Sequence, residues 1–366
     1  MLFGYPIDAT VDNWLHECFG EVIRSIHQSL ENNLTINEWT EVIPSRYRNR
    51  LKNRLTGRGE LGNKLNDYQT ALSRLTLTEQ NRVLQAFEEQ NQIASLLSCQ
   101  CDCESITDLP EIIHDSVKAL FKYAFEILSD RTLEIRDKHY SIIYKSIPAR
   151  TCPFCGDESF SSLGTNRRED LDHYLLKDAY PFAAANLLNL VPMGSKCNSR
   201  YKHTANLLYK SDKTRRRAFD PYNHEKVTVS LCNSQPFSGG NGELKEPLPK
   251  WEIEFGSTSE NIADWDEKTD TWNDVFHVRN RYSNILNDEF KSWFEIFCQW
   301  CKRRHDPQSD LDLVDAIKQY ADERESEGFG QMAFLKAALF RMLHTHCQQN
   351  NQRLIKFIRF YVDLSA

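Results

Sequence analysis

The sequence predicts an α+β chain in which helical regions at both ends enclose a small core of short strands. Three observations lead there. Apolar residues recur at spacings of three and four up to about Ile147 and again from Phe276 onward, the period of helices with one buried face. Between them, a stretch rich in Gly, Ser and Asn opens at Cys152-Pro-Phe-Cys155-Gly156 and breaks that period. Beyond it Val227, Val229 and Leu231 alternate, as do Trp251, Ile253 and Phe255, which predicts a strand and its partner across a Gly- and Pro-rich excursion. The expected organisation is therefore serial: a helical domain over 1–148, the core over 149–225, a hairpin with an acidic loop over 226–275, and a helical region over 276–366.

Within the first region, Val11 to Leu30 and Ile112 to Leu128 carry the clearest helical period, with Asp8 or Thr10 placed to cap the former. Thr76-Leu-Thr-Glu79 has the spacing of a capping box and predicts a helix running to about Leu97. Asp108 before Pro110 can open another. A unit of four or five helices follows. In the last region Phe290, Trp293, Phe294, Phe297, Trp300 and Cys301 fall on one helix face. Cys298 and Cys301 then read as buried thiols and not as a zinc knuckle. Cys99-Gln-Cys101-Asp-Cys103 reads as a loop beside a helix end.

Composition narrows the function classes. A chain of 366 residues with 40% hydrophobic and 27% charged residues can bury a core, which excludes wholesale disorder. Its net charge of −7 excludes a protein that coats nucleic acid indiscriminately. The charge is uneven, however. Arg46 to Arg58 holds six basic residues and no acid, Lys196 to Arg217 holds eight against Asp212 alone, and Glu260 to Asp274 holds six acids against Lys268. The first basic run reads equally as a solvated helix face or as a phosphate-binding stripe. The second continues from the core. Eleven cysteines, an odd number with no secretory pattern ahead of them, predict reduced thiols in the cytoplasm. The opening residues lack a basic and then apolar leader, and the apolar stretch Phe182 to Met193 is short and interrupted by Asn186 and Asn189, so neither export nor a membrane span is expected.

Chemistry concentrates between Cys152 and Lys202. Cys152 and Cys155 have the spacing at which two thiolates bind one tetrahedral ion, with Gly156 permitting the turn beyond them. Asp170-Leu-Asp172-His173, then Asn189-Leu-Val-Pro192, then Cys197-Asn198-Ser-Arg200-Tyr-Lys202 follow in order. In strand geometry Asp170 and Asp172 share a face, and in helix geometry Asn198 and Lys202 do. A hard cation on oxygen ligands, a neutral histidine and a lysine near the phosphate suit phosphodiester cleavage.

In that order, over roughly 50 residues, the motifs resemble the HNH endonuclease family, whose core is a ββα-metal fold. The resemblance implies that His173 is the general base activating water, that Asp172 and Asn198 bind a catalytic Mg²⁺ or Mn²⁺ with Asp170 as a further ligand or support, and that Asn189 orients the His173 ring. It implies a structural zinc on Cys152, Cys155 and Cys197, with Lys202, Arg200, Arg215, Arg216 and Arg217 contacting DNA, double-stranded in preference to single-stranded. The chain departs from the family at two points. Gly194 stands where a second CxxC would begin, so either a ligand arrives from elsewhere, with Cys232, His203 and His224 as candidates, or no zinc is held. Asn follows Cys197 where His gives the family its name, which makes this an HNN variant. Proteins of this layout act in bacterial restriction and anti-phage defence, often beside an ATPase subunit. The competing readings are a non-catalytic treble-clef module that binds nucleic acid or protein, and a ribonuclease. Phe219-Asp-Pro-Tyr222 reads as scaffold.

Overall fold

A computed structural model describes residues 1–36, 38–55, 60–164, 169–223, 226–239, 248–257 and 264–365. The architecture is α+β, 61% helical, with small two-stranded sheets. The chain divides into two compact units, and the division cuts across the serial order that composition suggests. One unit is Gly4–Ser146 with Ser161–His224; the other is Met1–Phe3, Ile147–Phe160 and Glu225–Ala366. Residues 149–160 therefore group with the C-terminal region.

In the first of these units the helices are α1 (Trp14–Glu31), α2 (Trp39–Val42), α3 (Ser45–Leu55), α4 (Leu61–Leu72), α5 (Leu77–Gln90), α6 (Ile93–Leu97), α7 (Glu111–Leu128) and α8 (Ile135–Ser146). Asp8 and Thr10 lie in a separate 3₁₀ turn, and Asn13 occupies the N-cap of α1. The capping box forms: Thr76 and Glu79 each bond the other's backbone N–H, at 3.4 and 2.9 Å. The helix it opens stops short of Leu97. Asn91 ends it by turning its side-chain amide back onto the Phe87 carbonyl at 2.8 Å, satisfying a last-turn acceptor. Before Pro110, Asp108 closes a short turn with Ser105, and α7 begins at Glu111.

The core of this unit carries the aromatic set Phe19, Phe87, Phe121 and Phe182. Phe182 meets Phe87 and Phe121 edge-on, with centroids 5.7 and 5.2 Å apart. Each such buried ring stabilises by about 1.5–3 kcal/mol. Phe182 lies in the connection between β1 (Leu171–His173) and β2 (Leu190–Pro192), so the helices anchor the hairpin through its own loop. The basic run on α3 is largely engaged within the protein. Arg46 pairs with Glu21, Arg54 with Asp130, Arg48 donates to the Ile43 and Glu41 carbonyls, and Arg50 lies 4.8 Å over the Trp14 ring. Of the two readings of that run, the solvated helix face fits these partners; Arg58 lies outside the described residues.

In the other unit β3 (Val227–Ser230) pairs antiparallel with β6 (Glu254–Ser257), with Val229 opposite Phe255 as the alternation predicts. Between them β4 (Gln235–Gly239) pairs with β5 (Leu248–Lys250). The acidic stretch, expected as loop, is a helix from residue 265: α9 (Trp265–Phe276) places Asp266 and Glu267 in its first turn, where carboxylates complement the helix dipole. Residues 260–263 of that stretch lie outside the described residues. His277, with φ of 52°, breaks α9 from α10 (Val278–Arg304). Then come α11 (Asp310–Ser326), α12 (Ala333–Gln348) and α13 (Gln352–Leu364). Cys298 and Cys301 are buried in α10, and burial pushes their thiols up to about 12 and about 11.

The Cys152–Gly156 turn closes with the Gly156 N–H on the Cys152 carbonyl at 2.8 Å. Gly156 has φ of 70°, and a Cβ there would come within 2.6 Å of Leu2 and 2.7 Å of Phe334, so only glycine fits. Trp272 and Tyr282 donate to the Phe154 and Cys155 carbonyls, each at 3.0 Å. No helix among the described residues is long and apolar enough to cross a membrane.

Candidate functional site

The site grows from the β1–β2 hairpin. Its antiparallel register sets Leu171 against Pro192, Asp172 against Val191 and His173 against Leu190. Three tyrosines tie it down: Tyr5 bonds the Pro192 carbonyl, Tyr222 the Leu190 carbonyl, and Tyr174 the Phe219 carbonyl at 2.8 Å. The Phe219–Tyr222 segment is thus part of the scaffold of the hairpin. After β2, Cys197–Lys202 forms a π-type turn in which the His203 N–H reaches the Asn198 carbonyl at 2.9 Å. Asp172, His173, Asn198 and Lys202 all line one cleft of about 490 Å³, together with Lys177 and His203.

His173 is 8% exposed. Its Nε2 lies 3.0 Å from the Ala184 carbonyl and its ring lies against Phe125, with centroids 4.3 Å apart. A carbonyl only accepts, so Nε2 carries the proton and Nδ1 is left as the basic atom. Burial pushes the imidazole down to about 3, assisted by the Lys177 and Lys202 charges and opposed by the Ala184 bond. The ring is neutral at pH 7.

Asn189 does not orient that ring. Fully buried, its side chain accepts the Leu175 N–H at 2.6 Å and donates to the Leu175 and Ala183 carbonyls, each at 3.2 Å. It clamps the chain leaving β1, and the ring is held by Ala184 and Phe125 instead. Asp170 also departs from expectation. β1 begins one residue later, so strand alternation does not reach Asp170; its side chain is 85% exposed, 3.6 Å from Arg136, and does not line the cleft.

Lys202 is placed differently from a phosphate-binding lysine. Its side chain is 1% exposed, with Nζ 2.7 Å from Asp172 Oδ2 and 2.8 Å from the His173 carbonyl. The contact with Asp172 is a charge contact whose angle leaves Oδ2 without a well-aligned donor. Burial pushes the Asp172 carboxyl above its ordinary range, with Lys202 opposing.

The arginines after the turn are largely spent on backbone carbonyls. Arg215 donates to Leu208 and Arg216 at 2.9 and 3.0 Å, reaches Leu96 and Cys101, and lies over Tyr209. Arg216 is buried and bonds the Asn206 carbonyl, and Arg217 donates to Ser98 at 3.3 Å. They staple the 206–217 segment to the loop after α6. Arg200 alone of the named set is exposed, and it does not line the cleft.

Cys152, Cys155 and Cys197 are buried with their sulfurs within 4.8 Å of one another, a group that can hold a metal ion. Among the described residues this group has three members. Cys232 is exposed, 4.0 Å from Thr345, and His203 faces Thr204 at 3.3 Å; His224 lies outside the described residues. Among the described residues the Cys99–Cys103 run forms no such group, and Cys99 points at the Arg216 carbonyl.

Sequence reasoning missed Phe125, Ala184 and Lys177. Phe125 sits in the ordinary apolar period of α7 and Ala184 acts through its carbonyl, so neither left a signal; Lys177, four residues past His173, could have been noticed. No protein-family model matches the chain, and no curated protein or solved structure matches it significantly.

Proposed function

We propose that this protein is a metal-dependent endonuclease of the HNH type that hydrolyses phosphodiester bonds in DNA. The observation that carries the reading is His173: neutral, its Nε2 committed to Ala184, its Nδ1 free to take a proton, in one cleft with Asp172 and Asn198. Place in anti-phage defence rests on the sequence resemblance.

The side chains present fit a hard divalent cation. Asp172 brings a buried carboxylate whose Oδ2 lies against the Lys202 ammonium, and Asn198 brings a side-chain amide to the same cleft. One carboxylate and one amide suit Mg²⁺ or Mn²⁺, which keep several waters and take substrate oxygens. The ion would supply Lewis-acid stabilisation of the phosphate. Lys202 holds Asp172 in place and Asn189 fixes the chain beyond His173. The three cysteines fit a structural zinc, because Zn–S bonds of about 2.3 Å in a tetrahedron separate sulfurs by about 3.8 Å, inside the 4.8 Å limit of the group.

The test is incubation of supercoiled plasmid with Mg²⁺ or Mn²⁺, comparing the wild-type chain with His173→Ala. The expected result is relaxed or linear product from the wild type alone. Equal cleavage by both, or none by either, would overturn the reading.

A further inference from the structure

We propose that Lys177 is the phosphate-binding cation of the His173 cleft, contacting the backbone of a nucleic acid laid across it; this rests on the nuclease reading above. Two lysines line the cleft, Lys177 and Lys202. Lys202 is the one that motif order suggests, but its ammonium is spent between Asp172 and the His173 carbonyl. Drawing it out to a phosphate would leave a buried carboxylate unpaired. Lys177 is exposed, and among the described residues no carboxylate pairs with it. It lines the same cleft as Asp172, His173 and Asn198.

The backbone around Lys177 is fixed while its side chain is free. Asn189 holds both polar groups of Leu175, and the Ala179 and Tyr180 N–H groups return to the Leu176 carbonyl at 3.1 and 2.7 Å. A compact charge on a flexible stem and a rigid base suits one phosphate oxygen as a point contact. The other basic groups near the turn do not compete. Arg215, Arg216 and Arg217 serve carbonyls, and Arg200 does not line the cleft.

The test is binding of the full chain to a short fluorescein-labelled DNA duplex, followed by anisotropy across a NaCl series with Ca²⁺ in place of Mg²⁺ to hold cleavage off. Lys177→Ala should lower the slope of log K against log salt by about 0.9 and weaken binding about fivefold near 0.15 M salt, the share of one released counterion. Lys177→Arg should restore both. Lys138→Ala, whose ammonium lies near Asp12 and Glu134, should change neither. An unchanged slope in Lys177→Ala, the same loss in Lys138→Ala, or no duplex binding by the wild type would overturn the proposal. Plasmid cleavage judges the nuclease reading separately. Cleavage with a slope indifferent to Lys177 sinks only this proposal, and a Lys177-dependent slope without cleavage sinks only the enzyme.

Discussion

Replacing Lys202 by methionine separates a buried structural cation from a surface phosphate contact. The side chain is 1% exposed and Asp172 is 12% exposed, so the variant strands a carboxylate beneath the surface and removes a charged donor from the His173 carbonyl. Removing one partner of a buried pair costs about 3–5 kcal/mol, against roughly 0.5 kcal/mol or less for a solvated surface lysine. The carboxylate can relieve part of this by taking up a proton, which its already raised pKa favours, so the lower end of the range is expected at pH 7. The assay is urea unfolding followed by tryptophan fluorescence, with Asp172→Leu and the double variant completing a cycle. The double variant should recover most of the loss, because an apolar pair of similar volume leaves no unpaired charge. A Lys202→Met chain that loses less than about 1 kcal/mol would refute the burial argument.

Other expectations follow from the same geometry. His173→Ala should cut the cleavage rate by roughly two to four orders of magnitude with duplex affinity in Ca²⁺ nearly intact, and a wild-type rate would assign the base elsewhere. Metal analysis of the purified chain should find close to one zinc per chain, falling on Cys152→Ser; less than about half an equivalent would count against a structural site. Stability should fall on acidification. His139 donates Nε2 to Tyr222, whose hydroxyl serves Leu190, and its Nδ1 is buried without a partner, so the charged ring is disfavoured and its pKa is pushed down to about 3. A folded pKa below the unfolded value of about 6.5 means the contribution is full above that pH and lost as pH falls toward the folded value, at up to about 1.4 kcal/mol per unit. Unfolding midpoints between about pH 6.5 and 5 should therefore lose roughly one proton's slope in His139→Met; an unchanged slope would show that His139 charges in the fold.

Much of the architecture was legible because it is local. Helical period, the Thr76–Glu79 capping box and the Val229–Phe255 alternation depend on neighbours a few residues apart, and each forms. So does the Cys152–Gly156 turn, whose glycine is required by its own φ. The order of the motifs also anticipated which residue types meet in the cleft: an aspartate, a histidine, an asparagine and a lysine, in that order along the chain.

Which way the long polar side chains turn depends instead on segments far apart in the chain. Lys202 and the arginines after it read as a basic surface, yet Lys202 is drawn inward to Asp172, thirty residues earlier, and Arg215 to the carbonyls of Leu96 and Leu208. Asp170 faces solvent because the strand starts at Leu171, and Asn189 serves Leu175 because the Phe182 ring draws the intervening loop into the helical core. A lysine or arginine stem spans several ångströms and its head seeks whichever acceptor the fold leaves unpaired. Those acceptors are backbone carbonyls and buried carboxylates brought close by distant segments, and no local spacing in the sequence encodes where they will be.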